Sequence, residues 1–554
     1  MFAQAWLVSG LDHLELEQAA EAIAPLRRAL DLDPKNANAR VALGDAFARN
    51  NQMESAEKEY EVQIQQTPSS PDCWYKLGMV RLQLASDAKH ALTIKSPGSV
   101  LAQQLDAEDM LRAEANWDAA RILLRLAKEA PKQPEVHADL GQALLALGYP
   151  KSAANEFLQE LLSNPEDPSA MLGLAETAAL HGDWKNADSN VDKLGRGQPL
   201  QFAQLVESAP PGPLRQAWNE GLVKMPESEA ETATGLFWKS WLTTSTLAPG
   251  MLSPITSGAE QCTALVSAAV ATPGLWLSES CYRRLERMLK SRPHLSSVEK
   301  AKMAEVMFRL GDYQGAMHEA QALLQSHPGD AWATYWLSRA RSELAGDCFV
   351  KLGLLDPASP RVHQILAERY LGWGQFAQAV SEYEAAIKLA PSLPDLYLGL
   401  GDTYTHMLNW ADAAAQYKKT LELAPGSLAA QAELGHAYVK LGEWKLAIDQ
   451  LRQIPASAPQ AAPARLDLAN AEDQVGDTRQ AIADLLPFAA QDKDGGMHFR
   501  LGVFYKRIGD TEHAKEAMQT FQSLRAAELA LSHDEIQALE DEKRDAVTAT
   551  STSN

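Results

Sequence analysis

Cysteine is scarce. The 554 residues hold four, Cys73, Cys262, Cys281 and Cys348, with no Cys-x-x-Cys pair. That excludes a disulfide-stapled scaffold and a thiolate zinc site of the usual spacing. Cys262 and Cys281 fall in consecutive helical stretches and would pair in an oxidising compartment; as small buried hydrophobes they need no partner. Long apolar runs are missing as well. No stretch reaches the roughly 18 consecutive apolar residues of a spanning helix, so no membrane span is expected. The opening Met1-Phe2-Ala3-Gln4-Ala5-Trp6 has neither the basic n-region nor the apolar h-region of a secretory leader. Read as it stands, the chain is expected in the cytoplasm, with the periplasm as the alternative if its start is truncated. Positive charge is also short: Lys and Arg number 51 against 72 Asp and Glu, a net charge of −21. An acidic balance of that size argues against a nucleic-acid partner and is compatible with a basic protein partner.

Motifs of catalysis are absent too. There is no Gly-x-x-x-x-Gly-Lys loop, no His-Glu-x-x-His and no Gly-x-Ser-x-Gly. The 13 histidines are scattered. No catalytic residue, metal or cofactor is expected.

What is present is a period. Ala367, Gly401 and Gly435 stand 34 residues apart, as do Tyr370, Tyr404 and Tyr438. Ala379, Ala413, Ala447 and Ala481 keep the same spacing, and Pro391, Pro425 and Pro459 close it. Within one period, a first helix carries Leu366, Ala367 and Tyr370, and Gly372 and Gly374 break it. A second helix carries Phe376, Ala379, Tyr383 and Ile387 on one stripe. Pro391 ends the unit because it cannot continue a helix. Such a hairpin cannot bury its own apolar face, so it must stack on its neighbours.

The pattern Tyr397-Leu400-Gly401-Tyr404-Ala413-Tyr417-Pro425 resembles the tetratricopeptide repeat family. The resemblance implies an all-α, right-handed superhelical solenoid of helix-turn-helix repeats. Here it would form two blocks joined by an irregular helical middle. An N-terminal block spans 1–194, with an insertion at about 85–112 between the helices of its third repeat. The segment 195–296 loses the period and is rich in proline. A C-terminal block spans 297–525, and 526–554 is a charged capping helix with a tail. The unit from Trp332 to Pro357 is about five residues short between its helices.

In the resembled family the first helices line a concave face where extended peptides or partner helices lie. One groove-facing column reads Asp45, Gln142, Glu176, Glu305, Glu368, Asp402, His436 and Asn470, with Arg339 supplied by the short repeat. A same-sign lining favours a basic ligand segment. The competing reading is a solvated face: Asp45–Arg49, Glu305–Arg309 and Asp402–His406 are i,i+4 pairs worth about 0.2–0.5 kcal/mol each. The family's carboxylate-clamp subclass uses Lys, Asn and Arg, but here the equivalent positions hold Gln364, Glu368, Gly399, Ala429 and Glu433. Chaperone-tail binding is therefore not carried over. The expected function is a noncatalytic scaffold or adaptor that binds a protein or peptide segment. Two alternatives stand beside it: an accessory subunit of an envelope export, polysaccharide or assembly machine, and an enzyme with its site in 195–296.

Overall fold

The computed structural model describes residues 2–198 and 277–528, apart from residues 17, 97, 114, 373, 459, 493 and 494. Among the described residues the chain is helical without strands, an all-α repeat solenoid. They fall into two compact units, within 1–355 and within 356–537. The unit boundary lies inside the block expected to run from 297 to 525. Most of the expected irregular middle (199–276), including Cys262, lies outside the described residues. So do residues 529–554 of the expected cap and tail.

The second unit shows the repeat in its plain form. Its helices are α16 (Pro360–Gly372), α17 (Phe376–Leu389), α18 (Pro394–His406), α19 (Trp410–Leu423) and α20 (Leu428–Leu441). They continue with α21 (Trp444–Leu451), α22 (Ala461–Gln474), α23 (Thr478–Leu485), α24 (Gly496–Arg507) and α25 (Thr511–Glu528). The glycine of the first helix recurs at this register because an aromatic of the second lies on its backbone. A Cβ on Gly401 would sit 2.5 Å from the Tyr417 ring, and one on Gly44 in the first unit 2.5 Å from Tyr60. Tyr417 and Ala413 are fully buried against this face. The turn between helices needs left-handed backbone. Gly442 supplies it at φ 76°, whereas Leu408 holds φ 57° in the same register, at some cost to a side chain with a Cβ.

The first unit departs from this plan at two helices of 25 residues each, α5 (Pro71–Lys95) and α15 (Ala331–Leu355). In a plain repeat the ring facing the glycine lies 16 residues downstream, as Tyr417 does from Gly401. For Gly78 that residue is Ile94, which is 64% exposed. The ring over Gly78 is instead Phe349, 2.6 Å from where a Cβ would stand. The first half of α5 therefore takes its second helix from the C-terminal half of α15. The exchange is reciprocal. Arg81 donates to the Leu344 carbonyl at 3.4 Å and Arg341 to the Leu84 carbonyl at 3.3 Å. Ser338 Oγ donates to the Ala85 carbonyl at 2.9 Å. Both guanidinium groups approach buried Glu57, Arg81 at 3.2 Å and Arg341 at 4.0 Å.

The cause is a missing turn. Gly401 and Pro425 are 24 residues apart, but Gly78 and Pro97 are 19 apart, and so are Ser338 and Pro357. Without the five turn residues each helix runs straight on, and only another chain segment can close the hairpin. The expected insertion at 85–112 is thus corrected. These residues form the second half of α5 and then α6 (Val100–Arg112), which pairs with α7 (Asn116–Glu129) as an ordinary repeat. The apparent excess came from looking for the partner of α5 next in the chain.

The other helices of this unit are α1 (Phe2–Glu15), α2 (Ala19–Leu32), α3 (Ala37–Arg49), α4 (Met53–Gln66), α8 (Val136–Ala146), α9 (Pro150–Ser163), α10 (Pro168–Leu180) and α11 (Trp184–Gly197). After the undescribed segment come α12 (Glu279–Lys290), α13 (Ser297–Arg309) and α14 (Tyr313–Ser326). A core formed by α12–α15 takes in Leu101, Ala102 and Leu105 of α6, so the arms before and after the undescribed segment pack together.

Candidate partner-binding groove

The expected column splits into residues that are occupied, buried or open. Asp45, on α3, has both oxygens engaged: Tyr60 donates its hydroxyl at 2.6 Å and Lys76 its ammonium at 2.9 Å. Glu305 is 1% exposed and pairs with Lys302 at 2.9 Å. Arg339 is held by Glu135 at 2.7 Å and Glu108 at 3.5 Å. Its guanidinium lies 5.0–5.4 Å from the rings of Phe308, Tyr335 and Trp336. Arg309 joins the same Glu135 carboxylate, and the two cations hold it near pH 2 despite its burial. Glu305 and Arg339 therefore sit inside the first unit, where α13 and α15 face α6 and α8. Glu305 still lines a small cleft with Lys302, Asp330, Trp332 and Trp336, whereas Arg339 is taken up by its carboxylates and rings. Glu176 on α10 has only burial acting on it, which lifts its pKa to about 8.

Glu368, Asp402 and His436 lie in the second unit on successive first helices, α16, α18 and α20. Asp402 accepts the Tyr417 hydroxyl at 2.8 Å, the same clamp that Tyr60 makes with Asp45. Glu368 is solvent-exposed and accepts from Gln364 at 3.0 Å. His436 Nδ1 meets Asp467 of the following repeat at 2.7 Å, and its ring stands edge-on to Trp410 at 5.6 Å. That bond raises the imidazole pKa.

Three more carboxylates belong with them: Asp395, Glu433 and Asp467. Burial raises the pKa of Glu433, and the charges of Asp402 and Asp467 raise it further. Desolvation of the Glu368 carboxyl raises its pKa although the side chain as a whole is open to solvent; Gln364 and Arg361 oppose this, and Asp395 adds a smaller upward push. Burial also raises Asp402, against the pull of Tyr417 and His406. Carboxylates from adjacent repeats thus feel one another's field across the first helices of α16–α22. Sequence reasoning followed one position of the first helix. Asp395, Glu433 and Asp467 occupy neighbouring positions, three residues earlier in the turn or nearer its start, and the same register would have found them. At the far end α24 presents exposed Arg500 and Lys506.

Among the described residues no group of three or more His, Cys, Asp or Glu is arranged to hold a metal. Among the same residues no helix is long and apolar enough to cross a membrane.

Models of the tetratricopeptide repeat match residues 7–71, 138–187, 409–466 and 496–528, and a TPR repeat model matches 367–407. The type IV pilus assembly protein PilF of Pseudomonas aeruginosa is 26% identical over 195 residues, which is 35% of this chain and 66% of that protein. Among solved structures, MamA (residues 41 to the end) from Desulfovibrio magneticus RS-1 is 21% identical, covering 31% of this chain and 97% of its own, with a TM-score of 0.30. YrrB, described as a TPR protein with an unusual peptide-binding site, is 20% identical over 32% of this chain and 92% of its own, with a TM-score of 0.29. The Cut9–Hcn1 hetero-tetramer of the APC/C is 15% identical over 98% of this chain and 96% of its own, with a TM-score of 0.31.

Proposed function

The chain is a tetratricopeptide-repeat protein, and on that premise we propose that it is a noncatalytic scaffold whose second unit binds a basic protein segment. The observation that carries the reading is the set of carboxylates Glu368, Asp395, Asp402, Glu433 and Asp467 on successive first helices, close enough that the charges of Asp402 and Asp467 raise the pKa of Glu433 and that of Asp395 raises Glu368. A groove that holds like charges close together is stabilised when a cationic ligand neutralises them. An extended segment with Lys or Arg at intervals meets one repeat after another. The exposed cations of α24 mark where the acidic lining ends.

The test is fluorescence polarisation of the full chain with a labelled twelve-residue Lys-Ala peptide. The comparison is a triple variant, Glu368→Lys, Asp402→Lys and Glu433→Lys, checked for helix content. Saturable binding that weakens with salt and vanishes in the folded variant supports the reading. Equal binding by both chains removes it.

A second reading is an accessory role in an envelope assembly machine. It is supported by the likeness to a pilus assembly protein over 195 residues. Recovery of the native protein with an envelope complex after fractionation of its host separates this from a free cytoplasmic adaptor.

A further inference from the structure

α5 and α15 pack along their length, with Ser338 Oγ on the Ala85 carbonyl near the middle of both helices. The end of α6 stands off this pair and leaves a cleft of about 390 Å³. Leu82, Ala85, Ser86, Ser342 and Glu343 line it together with Asp109 and Arg112. The charges of the α6 wall are spent on one another. Arg112 pairs with Asp109 and Glu108, and Lys89 of α5 pairs with Asp109 and Asp106. Glu343 has no hydrogen bond or ion pair among the described residues, and neither do the hydroxyls of Ser86 and Ser342. Desolvation of its carboxyl raises the pKa of Glu343 although the side chain as a whole is open to solvent; Arg339 and Arg112 pull it down in part, and a bound cation would add to that pull.

We propose that this cleft is a binding site for a primary alkylammonium group, with Glu343 as its counter-ion. An ammonium offers three N–H donors and no acceptor. Beside the paired Asp109, the cleft offers one carboxylate and two hydroxyls without partners among the described residues, with the side chains of Leu82 and Ala85 to meet the alkyl stem. A guanidinium is the poorer fit, because its planar fork is matched by paired carboxylate oxygens rather than by hydroxyls on two different helices. The ammonium has two sources, the side chain of a partner's lysine or a free small amine. The site lies in the first unit and is independent of the acidic groove of the second.

The experiment is ligand-observed NMR on the full chain with two probes, n-butylammonium and Nα-acetyl-lysine methylamide, and n-butanol as the neutral control. Two variants accompany the parent. Glu343→Gln removes the counter-ion from an exposed helix position. Gly346→Met fills the cleft; a Cβ on Gly346 meets nothing within 4 Å, and leaving glycine raises helix propensity. The expected result is saturable binding of at least one amine, no binding of the alcohol, a loss of about tenfold in Glu343→Gln and no binding to Gly346→Met. Binding of the lysine derivative assigns the site to a peptide side chain. Binding of butylammonium alone assigns it to a free amine. No saturable binding by the parent, or unchanged affinity in Glu343→Gln, overturns the proposal.

Discussion

Replacing Gly78 by Ala tests the exchanged helices directly. The new methyl would stand 2.6, 2.9 and 3.2 Å from three atoms of the Phe349 ring. Overpacking of this kind costs about 1–3 kcal/mol, and the gain in helix propensity returns about 0.5–1 kcal/mol. The single substitution is therefore a blunt measurement, with a net loss near 1 kcal/mol. A double-mutant cycle is sharper, because the propensity term cancels. Phe349→Leu removes the clash, so Gly78→Ala and Phe349→Leu together should show a coupling of at least about 1 kcal/mol. The companion cycle pairs Gly78→Ala with Ile94→Ala, the residue a sequential repeat would use. Those two should add within about 0.5 kcal/mol. The chain has two units, so one global unfolding energy is not defined. The readout is hydrogen exchange of the α5 and α15 amides, which reports local opening. Additivity for Gly78 with Phe349, or coupling with Ile94 in its place, would refute the exchange.

Other outcomes follow from buried charges and strained backbone. Glu57→Ala leaves Arg81 and Arg341 without their shared carboxylate and should destabilise the first unit by about 3–5 kcal/mol, read by the same exchange measurement. Glu176, with a pKa near 8 in the fold against 4.5 as the ordinary value, binds a proton in the folded chain that the unfolded chain releases. Its contribution is present below about pH 4.5 and is lost as pH rises towards 8, so Glu176→Gln should be more stable than the parent at pH 8 by roughly 1–3 kcal/mol and level with it at pH 4.5. Leu408→Gly should stabilise the second unit by up to about 1 kcal/mol in thermal unfolding, since relief of left-handed strain exceeds the added chain entropy. Binding of the basic peptide should weaken by roughly tenfold between pH 7.5 and pH 5 in fluorescence polarisation. The raised pKa values of Glu368, Asp402 and Glu433 make them take up protons at higher pH than free carboxylates do, and protonation of His436 adds positive charge, so both changes weaken the groove's hold on a cation as pH falls.

The repeat itself was legible because its physics is local. A glycine or alanine under a tyrosine, with a proline to stop the second helix, is written within 34 residues. Which second helix completes which first one is not local. Tyr75, Arg81, Leu84, Ala85 and Leu92 recur as Tyr335, Arg341, Leu344, Ala345 and Leu352, each 260 residues on. That match marks two segments with the same missing turn, and a search at the period of 34 passes over it. The groove was legible in the same partial way. Register places Glu305 and Glu368 at one position, but only the elements packed opposite decide that Glu305 is buried and Glu368 exposed. His436 was found as a column member. Its bond to Asp467 joins two repeats and depends on their stacking.

The exchanged helices also set an order of events during synthesis. Leu77, Val80 and Leu84 share a core with Cys348, so the third hairpin of the nascent chain has an uncovered face until residues near 355 leave the ribosome. At about 5–20 residues per second, some 270 further residues take roughly 15–50 s. Throughout that interval the N-terminal arm presents an apolar surface that its own sequence neighbours cannot cover. The emerging chain is then a client for a holdase, and a ribosome stall between 100 and 340 should leave it aggregation-prone although its first two hairpins are complete.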